Sequence, residues 1–333
     1  MRQIFHVSRN TRAIRESPDP SPAAGEVLIE VKAASKGLYP DAPSFPFVVG
    51  YEAAGRVSAV GDGVDRTWLG ADVVALVKFG AYSELITAPV GQIARMPSEL
   101  SYEMAASMCV AYLTAWMLIA VQGGLHEGDT LLIQNAGSGV GLAAIDIAHH
   151  LGAGTIIGTA SERKHQFLIE RGLQHPIDYR KPNWTEDVKK ITGKRGVDLI
   201  IDPLGPDSWK QSSSLLGLGG RLGVYGASEI SASSWGWIIG AIRFFLRMPT
   251  YRPLPLMDQC HGVFGTNLLR MFADVPRIHD WLVKLLKGVE EGWVHPHVDR
   301  VFGFDQVDEA YAYIESRQSI GRVVLVPNRA KDE

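Results

Sequence analysis

Thr130-Leu131-Leu132-Ile133-Gln134-Asn135-Ala136-Gly137-Ser138-Gly139-Val140-Gly141-Leu142 is the stretch on which the reading of this 333-residue chain turns. Its first four residues make a compact apolar strand, and Leu142 to Leu151 continues as an apolar helix. The small residues between them let the backbone turn sharply. A strand, a tight turn and a helix in this order gather free amide N–H groups and the positive end of a helix dipole at one point, which suits a diphosphate. The usual spacing G-x-G-x-x-G falls on Ala136, Ser138 and Gly141, so the motif itself is imperfect. The context carries the reading: Asn135, Ala136, Gly137, Ser138, Gly139, Val140 and Gly141 are expected to wrap the diphosphate of a dinucleotide.

Outward from this loop the chain alternates strand and helix. Thr155 to Ala160 is a second strand, and Arg163 to Arg171 a helix closed by Gly172. Trp184, Val188 and Ile191 mark one helix face, and Val197 to Ile201 and Arg221 to Tyr225 are further strands. Such alternation implies a parallel sheet with right-handed crossovers. The first third reads differently. Val27 to Ala33 is β-rich, and Gly50, Gly55, Gly61, Gly63, Gly70 and Gly80 break the apolar stretches that follow into pieces suited to a small, irregular β-barrel. Ser101 is the expected N-cap of a helix reaching Val121. Ile278 to Val289 and Val307 to Ser316 are amphipathic helices, the second after Asp305 as a cap, and Val323 to Val326 is a closing strand. The expected architecture is α/β: a β-barrel domain of residues 1–116 and 266–333, discontinuous because a Rossmann domain of residues 117–265 is inserted into it.

The end of the second strand selects the nicotinamide. An NAD-binding chain places Asp or Glu there against the ribose hydroxyls. Here the strand ends Gly158-Thr159-Ala160-Ser161, with Arg163 and Lys164 following. A hydroxyl and two cations suit a 2′-phosphate, so NADPH is the expected cofactor, although Glu162 stands among them.

Composition narrows the class. Hydrophobic residues make up 46% of the chain, and the net charge is 33 − 36 = −3 with both signs dispersed, which argues against a nucleic-acid binder. Two cysteines, Cys109 and Cys260, exclude a disulfide framework and a four-thiolate zinc site, and read as free thiols of a reducing, cytoplasmic compartment. The N-terminus lacks the layout of a secretion signal. No uninterrupted apolar run reaches membrane-spanning length; the nearest approach is Trp235 to Met248, which contains Arg243. With Arg243 and Arg247 one turn apart beside Trp235, Trp237, Ile238, Ile239, Phe244 and Phe245, that segment is read either as a peripheral membrane contact or, preferred, as a cover for a substrate cleft or subunit contact.

Several segments kept in order along nearly the whole chain resemble the zinc-free branch of the medium-chain dehydrogenase/reductase superfamily, its quinone oxidoreductases, and within them the vesicle amine transport protein group. They are Phe47 to Gly55, Gly80 to Glu84, Leu113 to Trp116, the glycine-rich loop, Gly158 to Ser161 with Lys164-His165, His175 to Tyr179, Gly196 to Asp198, Asp202 to Gly205 and Gly321 to Leu325. The resemblance implies a GroES-like domain and a Rossmann domain with NADPH in the cleft between them, hydride transfer to a quinone or other conjugated carbonyl, and a homodimer. It also implies that Ser161, Lys164 and Tyr179 hold the 2′-phosphate, that Tyr225-Gly226 and Phe264-Gly265 line the cofactor through backbone groups, and that Tyr39 and Thr114 sit near the nicotinamide.

Zinc-dependent relatives use Gly-His-Glu where this chain has Gly50-Tyr51-Glu52, and their later cysteine ligand falls on Val110 here, with Cys109 only a neighbour. No metal site is expected; His295 and His297, with Asp299 on the same strand face, and His149-His150 read as solvated surface. One departure stands out. Only Ala34-Ser35-Lys36 joins the Val31-Lys32-Ala33 strand to Gly37-Leu38-Tyr39-Pro40, shorter than in the relatives by on the order of nine residues, a large change against usual loop lengths. Either a real deletion opens the pocket wall, or a loop is missing between residues 33 and 38. Three functions follow: an NADPH-dependent quinone or enone reductase, an NADPH-binding membrane-associated or scaffolding protein with little catalysis, and a zinc-independent alcohol dehydrogenase.

Overall fold

The computed structural model describes residues 1–8, 11–35, 43–227 and 244–327. The chain divides into two compact units, Met1–Leu113 with Leu268–Glu333, and Thr114–Asn267. Tyr39, and residues 235–243 of the apolar segment, lie outside the described residues.

The first unit is β-rich. Its first eight strands are β1 (Arg2–His6), β2 (Arg12–Glu16), β3 (Glu26–Ser35), β4 (Phe47–Val48), β5 (Glu52–Val60), β6 (Asp72–Leu76), β7 (Leu85–Pro89) and β8 (Ile93–Arg95). β15 (Val298–Gly303) and β16 (Arg322–Val326) join them from the far end of the chain. Three strands form a sheet in the order β2-β1-β4, and seven form the other, in the order β15-β16-β3-β5-β6-β8 with β7 also on β3. β3 organises this unit. One edge pairs with β5 along its length, while the other is shared, β7 taking Glu26 to Glu30 and β16 taking Ala34 and Ser35. Register shifts after Leu28 and Val31 bend it, as bulges do at barrel corners. Its alternate residues Val27, Ile29 and Val31 face a core shared with Ile4, Tyr82 and Phe304.

The later helices differ in detail from the sequence expectation. Helix Val275–Glu290 buries Ile278, Leu282, Leu285 and Leu286 along one stripe, as the spacing implied. Helix Val307–Glu315 is not capped by Asp305. A short 3₁₀ turn, Phe304–Gln306, precedes it, with the Gln306 side chain accepting the Gly303 N–H at 3.1 Å, and Asp305 instead lies 3.8 Å from Arg2.

The second unit is the expected alternation. Six parallel strands lie in the order β11-β10-β9-β12-β13-β14: β9 (Thr130–Ile133), β10 (Thr155–Ala160), β11 (His175–Asp178), β12 (Val197–Asp202), β13 (Leu216–Val224) and β14 (Gly262–Gly265). Counted from β9 this is 3-2-1-4-5-6, the dinucleotide-binding order, and its direction reverses between β9 and β12. Helices α2 (Gly139–His150), α3 (His165–Glu170), α4 (Trp184–Thr192) and α5 (Pro206–Ser213) connect the strands. Helix α1 (Tyr102–Trp116) leads in, with the Ser101 hydroxyl accepting the Met104 amide at 3.3 Å, and runs on as a wider turn through Met117–Val121. Its 20 residues, Tyr102–Val121, are long and apolar enough to cross a bilayer, a run that the sequence reading passed over in favour of 235–248; 83% of its apolar window is buried in the protein, as in a core helix.

At the start of β5, Glu52 is fully buried. It accepts the Val110 N–H at 2.7 Å and the Arg322 guanidinium from the start of β16. Burial pushes its carboxyl up; the Arg322 charge and the Val110 amide pull the other way. Arg322→Met leaves a buried carboxylate without its cation and is expected to cost about 3–5 kcal/mol at neutral pH. A raised folded-state value means that the folded variant binds its proton more tightly than the unfolded chain. The deficit in thermal or denaturant unfolding should therefore shrink as the pH falls toward that value and be largest above it.

Candidate active site

The site is built where β9 leaves the sheet. The Gln134 amide still bonds the Ile201 carbonyl of β12 at 3.0 Å, after which the chain bends at Asn135, a non-glycine residue with φ +59°. Two loop amides are tied to one residue of β10: Asn135 N–H donates to Thr159 Oγ1 at 3.1 Å and Ala136 N–H to the Thr159 carbonyl at 2.9 Å. Ser138 caps α2, its hydroxyl accepting the Gly141 amide at 3.1 Å. Among the described residues this leaves the amides of Gly137, Gly139 and Val140 without an acceptor, gathered at the helix N-terminus. Gly141 is needed for contact: a Cβ there would lie 2.4 Å from the Ala136 carbonyl oxygen.

Lys164 lies over this loop. A Cβ on Gly137 would stand 2.8 Å from Lys164 Cδ and 3.4 Å from its Nζ, and the residue is only 8% exposed, unusual for lysine. Arg163, its neighbour in the 3₁₀ turn Glu162–Lys164, is exposed. The register of β10 and β11 ends at Ala160 opposite Asp178, so Ser161 and Tyr179 are the next residues on neighbouring strands, Tyr179 being 45% exposed. Ser161, Lys164 and Tyr179 therefore gather at one sheet end, beside the loop. Asp178 is turned away from this role. It accepts the Arg180 amide at 3.1 Å and the Arg180 guanidinium at 2.9 and 2.7 Å, and these bonds hold its carboxyl down at about 2. Arg180 was not singled out in the sequence, where it reads as one more surface cation.

On the other side of the reversal point, Tyr225 follows β13. Its hydroxyl is buried with no hydrogen bond of normal geometry and lies beside the Ser138 hydroxyl. Burial pushes this phenol up, and the Asp202 charge pushes in the same direction. Gly226 follows against Pro203. Phe264 packs its ring where a Gly223 Cβ would be, and the Gly265 carbonyl accepts Gln122 Nε2 at 3.3 Å. Thr114 is buried on α1, 6% exposed. Open amides at a helix N-terminus, a lysine laid over the loop and a buried tyrosine hydroxyl beside the Ser138 cap form a set that fits the phosphates of a dinucleotide.

Sequence reading missed the polar residues beneath the loop. Gln134, Thr159, Asp202, Ser208 and Ser212 are each 8% exposed or less and hydrogen-bonded in series. Gln134, Thr159 and Asp202 are polar residues at the ends of three apolar strands. That was the only available signal, and it does not pair them.

The family described as alcohol dehydrogenase GroES-like domain matches residues 23–98, and the family described as zinc-binding dehydrogenase matches residues 171–325. The human synaptic vesicle membrane protein VAT-1 homolog is 31% identical over 327 residues, 96% of this chain and 83% of that protein. This chain belongs to the medium-chain dehydrogenase/reductase family. Solved structures of the family agree: the human VAT-1 homolog-like protein superposes with a TM-score of 0.85 at 26% identity, covering 99% of each chain. Escherichia coli quinone oxidoreductase, complexed with NADPH, superposes with a TM-score of 0.84 at 26% identity, covering 98% of this chain and 100% of that one.

The medium-chain family includes zinc enzymes, and the residues present here do not fit that metal. Tyr51 is buried against Phe79, and Glu52 is committed to Arg322 and to the backbone of Val110. Asp299 accepts the Tyr313 hydroxyl at 2.7 Å, and His149 bonds the Gly172 carbonyl at 2.9 Å. Among the described residues no three His, Cys, Asp or Glu side chains are grouped to hold an ion.

Because the Arg180 bonds hold Asp178 down, Arg180→Met should move the Asp178 titration, followed by carboxyl NMR, from about 2 toward an ordinary carboxylate value. An unmoved midpoint would place the cause elsewhere.

Proposed function

We propose that this protein is an NADPH-dependent reductase that transfers hydride to a quinone or another conjugated carbonyl without zinc. The observation that carries the reading is the Lys164 side chain lying on Gly137 beside the open amides of Gly137, Gly139 and Val140. In this reading those amides take the diphosphate, and Ser161, Lys164 and Tyr179 take the 2′-phosphate, with Arg163 adding charge from the exposed side of the turn. Tyr225, Gly226, Phe264 and Gly265 line the remainder. Residues 117–265 are the cofactor-binding domain, and 1–116 with 266–333 the catalytic one. The E. coli relative solved with NADPH supports this choice of cofactor.

Bound NADPH would supply the hydride. The chain's own task is to orient the acceptor and stabilise charge on its oxygen, and Tyr39 and Thr114 are the hydroxyls assigned to that oxygen. The substrate is a small molecule, and a cytoplasmic homodimer is the form in which the protein is proposed to act.

A second reading, an NADPH-binding protein that works mainly at a membrane surface, has its own support. The human relative is named a synaptic vesicle membrane protein, and Phe245, Leu246 and Met248 are 67%, 81% and 40% exposed. Turnover of NADPH with a panel of quinones, enones and aldehydes separates the two readings, and aldehyde turnover alone would favour a zinc-independent alcohol dehydrogenase. Co-sedimentation with liposomes, with and without residues 235–248, tests the membrane contact.

Lys164→Met is expected to weaken NADPH binding on the order of tenfold, about 1.4 kcal/mol, while changing NADH binding little. Nucleotide fluorescence titration reads both. Equal losses for the two cofactors, or tighter NADH binding by the unaltered protein, would remove the 2′-phosphate assignment.

A further inference from the structure

We infer that Thr159 is a positioning residue for the dinucleotide loop, held in its working orientation by a one-way chain of buried hydrogen bonds that ends on Asp202. The inference rests on the cofactor reading above and extends it to residues that no comparison assigns.

The order of the chain follows from which atoms can donate. Asp202 is fully buried, and its Oδ1 accepts the Leu204 amide at 2.8 Å. Its Oδ2 accepts two hydroxyls, Ser208 at 2.6 Å and Ser212 at 2.8 Å. Having given its proton to Asp202, the Ser212 hydroxyl can only accept, and it takes Gln134 Nε2 at 3.1 Å. That fixes which way the Gln134 amide faces: its Oε1 is turned to Thr159 and receives the Thr159 hydroxyl at 2.7 Å. The lone pairs of Thr159 Oγ1 are then aimed at the Asn135 amide, 3.1 Å away.

Each proton therefore has one place, running from Asn135 N–H through Thr159, Gln134 and Ser212 to the carboxylate. Gln134, Thr159, Ser212 and Asp202 are all 1% exposed or less, so water does not compete for these bonds. The chain crosses three neighbouring strands, β10, β9 and β12, and helix α5, beneath the point where the sheet order reverses. Its upper end is the residue that bends into the left-handed region, Asn135 at φ +59°. Asparagine tolerates that region, but only the Thr159 side chain fixes where its amide points, so loss of the Thr159 acceptor should loosen the bend and scatter the amides that follow it.

The test compares the unaltered protein with Thr159→Val, Thr159→Ser and Asp202→Asn. Valine keeps the shape of threonine and removes both bonds; serine keeps them. Asparagine at 202 meets donors on both sides, so one orientation opposes the serine hydroxyls and the other the Leu204 amide. Two quantities are read. In cofactor-free protein, amide hydrogen exchange at Asn135 and Ala136 should quicken in Thr159→Val and Asp202→Asn and stay slow in Thr159→Ser. In titrations, Thr159→Val should bind NADPH at least tenfold more weakly, with affinity for adenosine 2′-monophosphate, which has no diphosphate, kept within about twofold; Thr159→Ser should restore both. Unchanged exchange and affinity in Thr159→Val, or equal losses for the two ligands, would overturn the inference. Should the unaltered protein bind no NADPH while exchange still follows the pattern above, the cofactor reading falls and the positioning chain stands. If Thr159→Val fails to fold, Asp202→Asn against Thr159→Ser decides by the same exchange measurement.

Discussion

A chain that leaves the middle of a parallel sheet and enters a helix must break its ladder on both sides at once. In this protein the break occurs at Asn135, between a last amide bonded to β12 and two amides captured by Thr159 of β10. Holding that turn with side chain and carbonyl of the neighbouring strand leaves the next amides pointing outward, unspent. The reversal of strand order at β9 opens the space above them, and α2 adds its dipole. The position of Lys164 matters only because this turn brings Gly137 beneath it.

The first unit uses a related economy of contact in a different setting. Its seven-stranded sheet depends on a single long strand, β3, that divides one edge between two partners. The pair formed by Glu52 and Arg322 ties the start of β5 to the start of β16, and these lie 270 residues apart in sequence. The carboxylate of Glu52, buried without solvent, has the Arg322 guanidinium as its counter-charge. An opposite charge held this close is what makes a fully buried carboxylate tolerable at that position.

How much of this could be read in advance depended on range. Strands β9, β10 and β12 were legible because apolar runs between turn residues need no distant partner to be recognised. The loop was legible for the same reason, since smallness at residues 135–141 is local. The chain from Asp202 to Thr159 was not, because its bonds join residues 10, 78 and 25 positions apart, and a lone Gln or Thr at a strand end looks the same with or without them. The Asp305 cap was expected from an acid before an apolar stripe; an intervening 3₁₀ turn gave the capping bond to Gln306 instead. Helix α1 escaped notice as a long apolar run because Glu103 and the tyrosines dilute its sequence, whereas burial on nearly all sides shows what it is.

The Tyr225 hydroxyl has one more implication. Its oxygen is buried beside Ser138, with no hydrogen bond of normal geometry among the described residues. An acceptor oxygen placed there would complete a buried donor that the protein alone satisfies poorly. Selectivity then takes the form of a threshold. Visitors lacking an oxygen at that spot leave the donor as poorly satisfied as before, whereas one that carries it gains a bond.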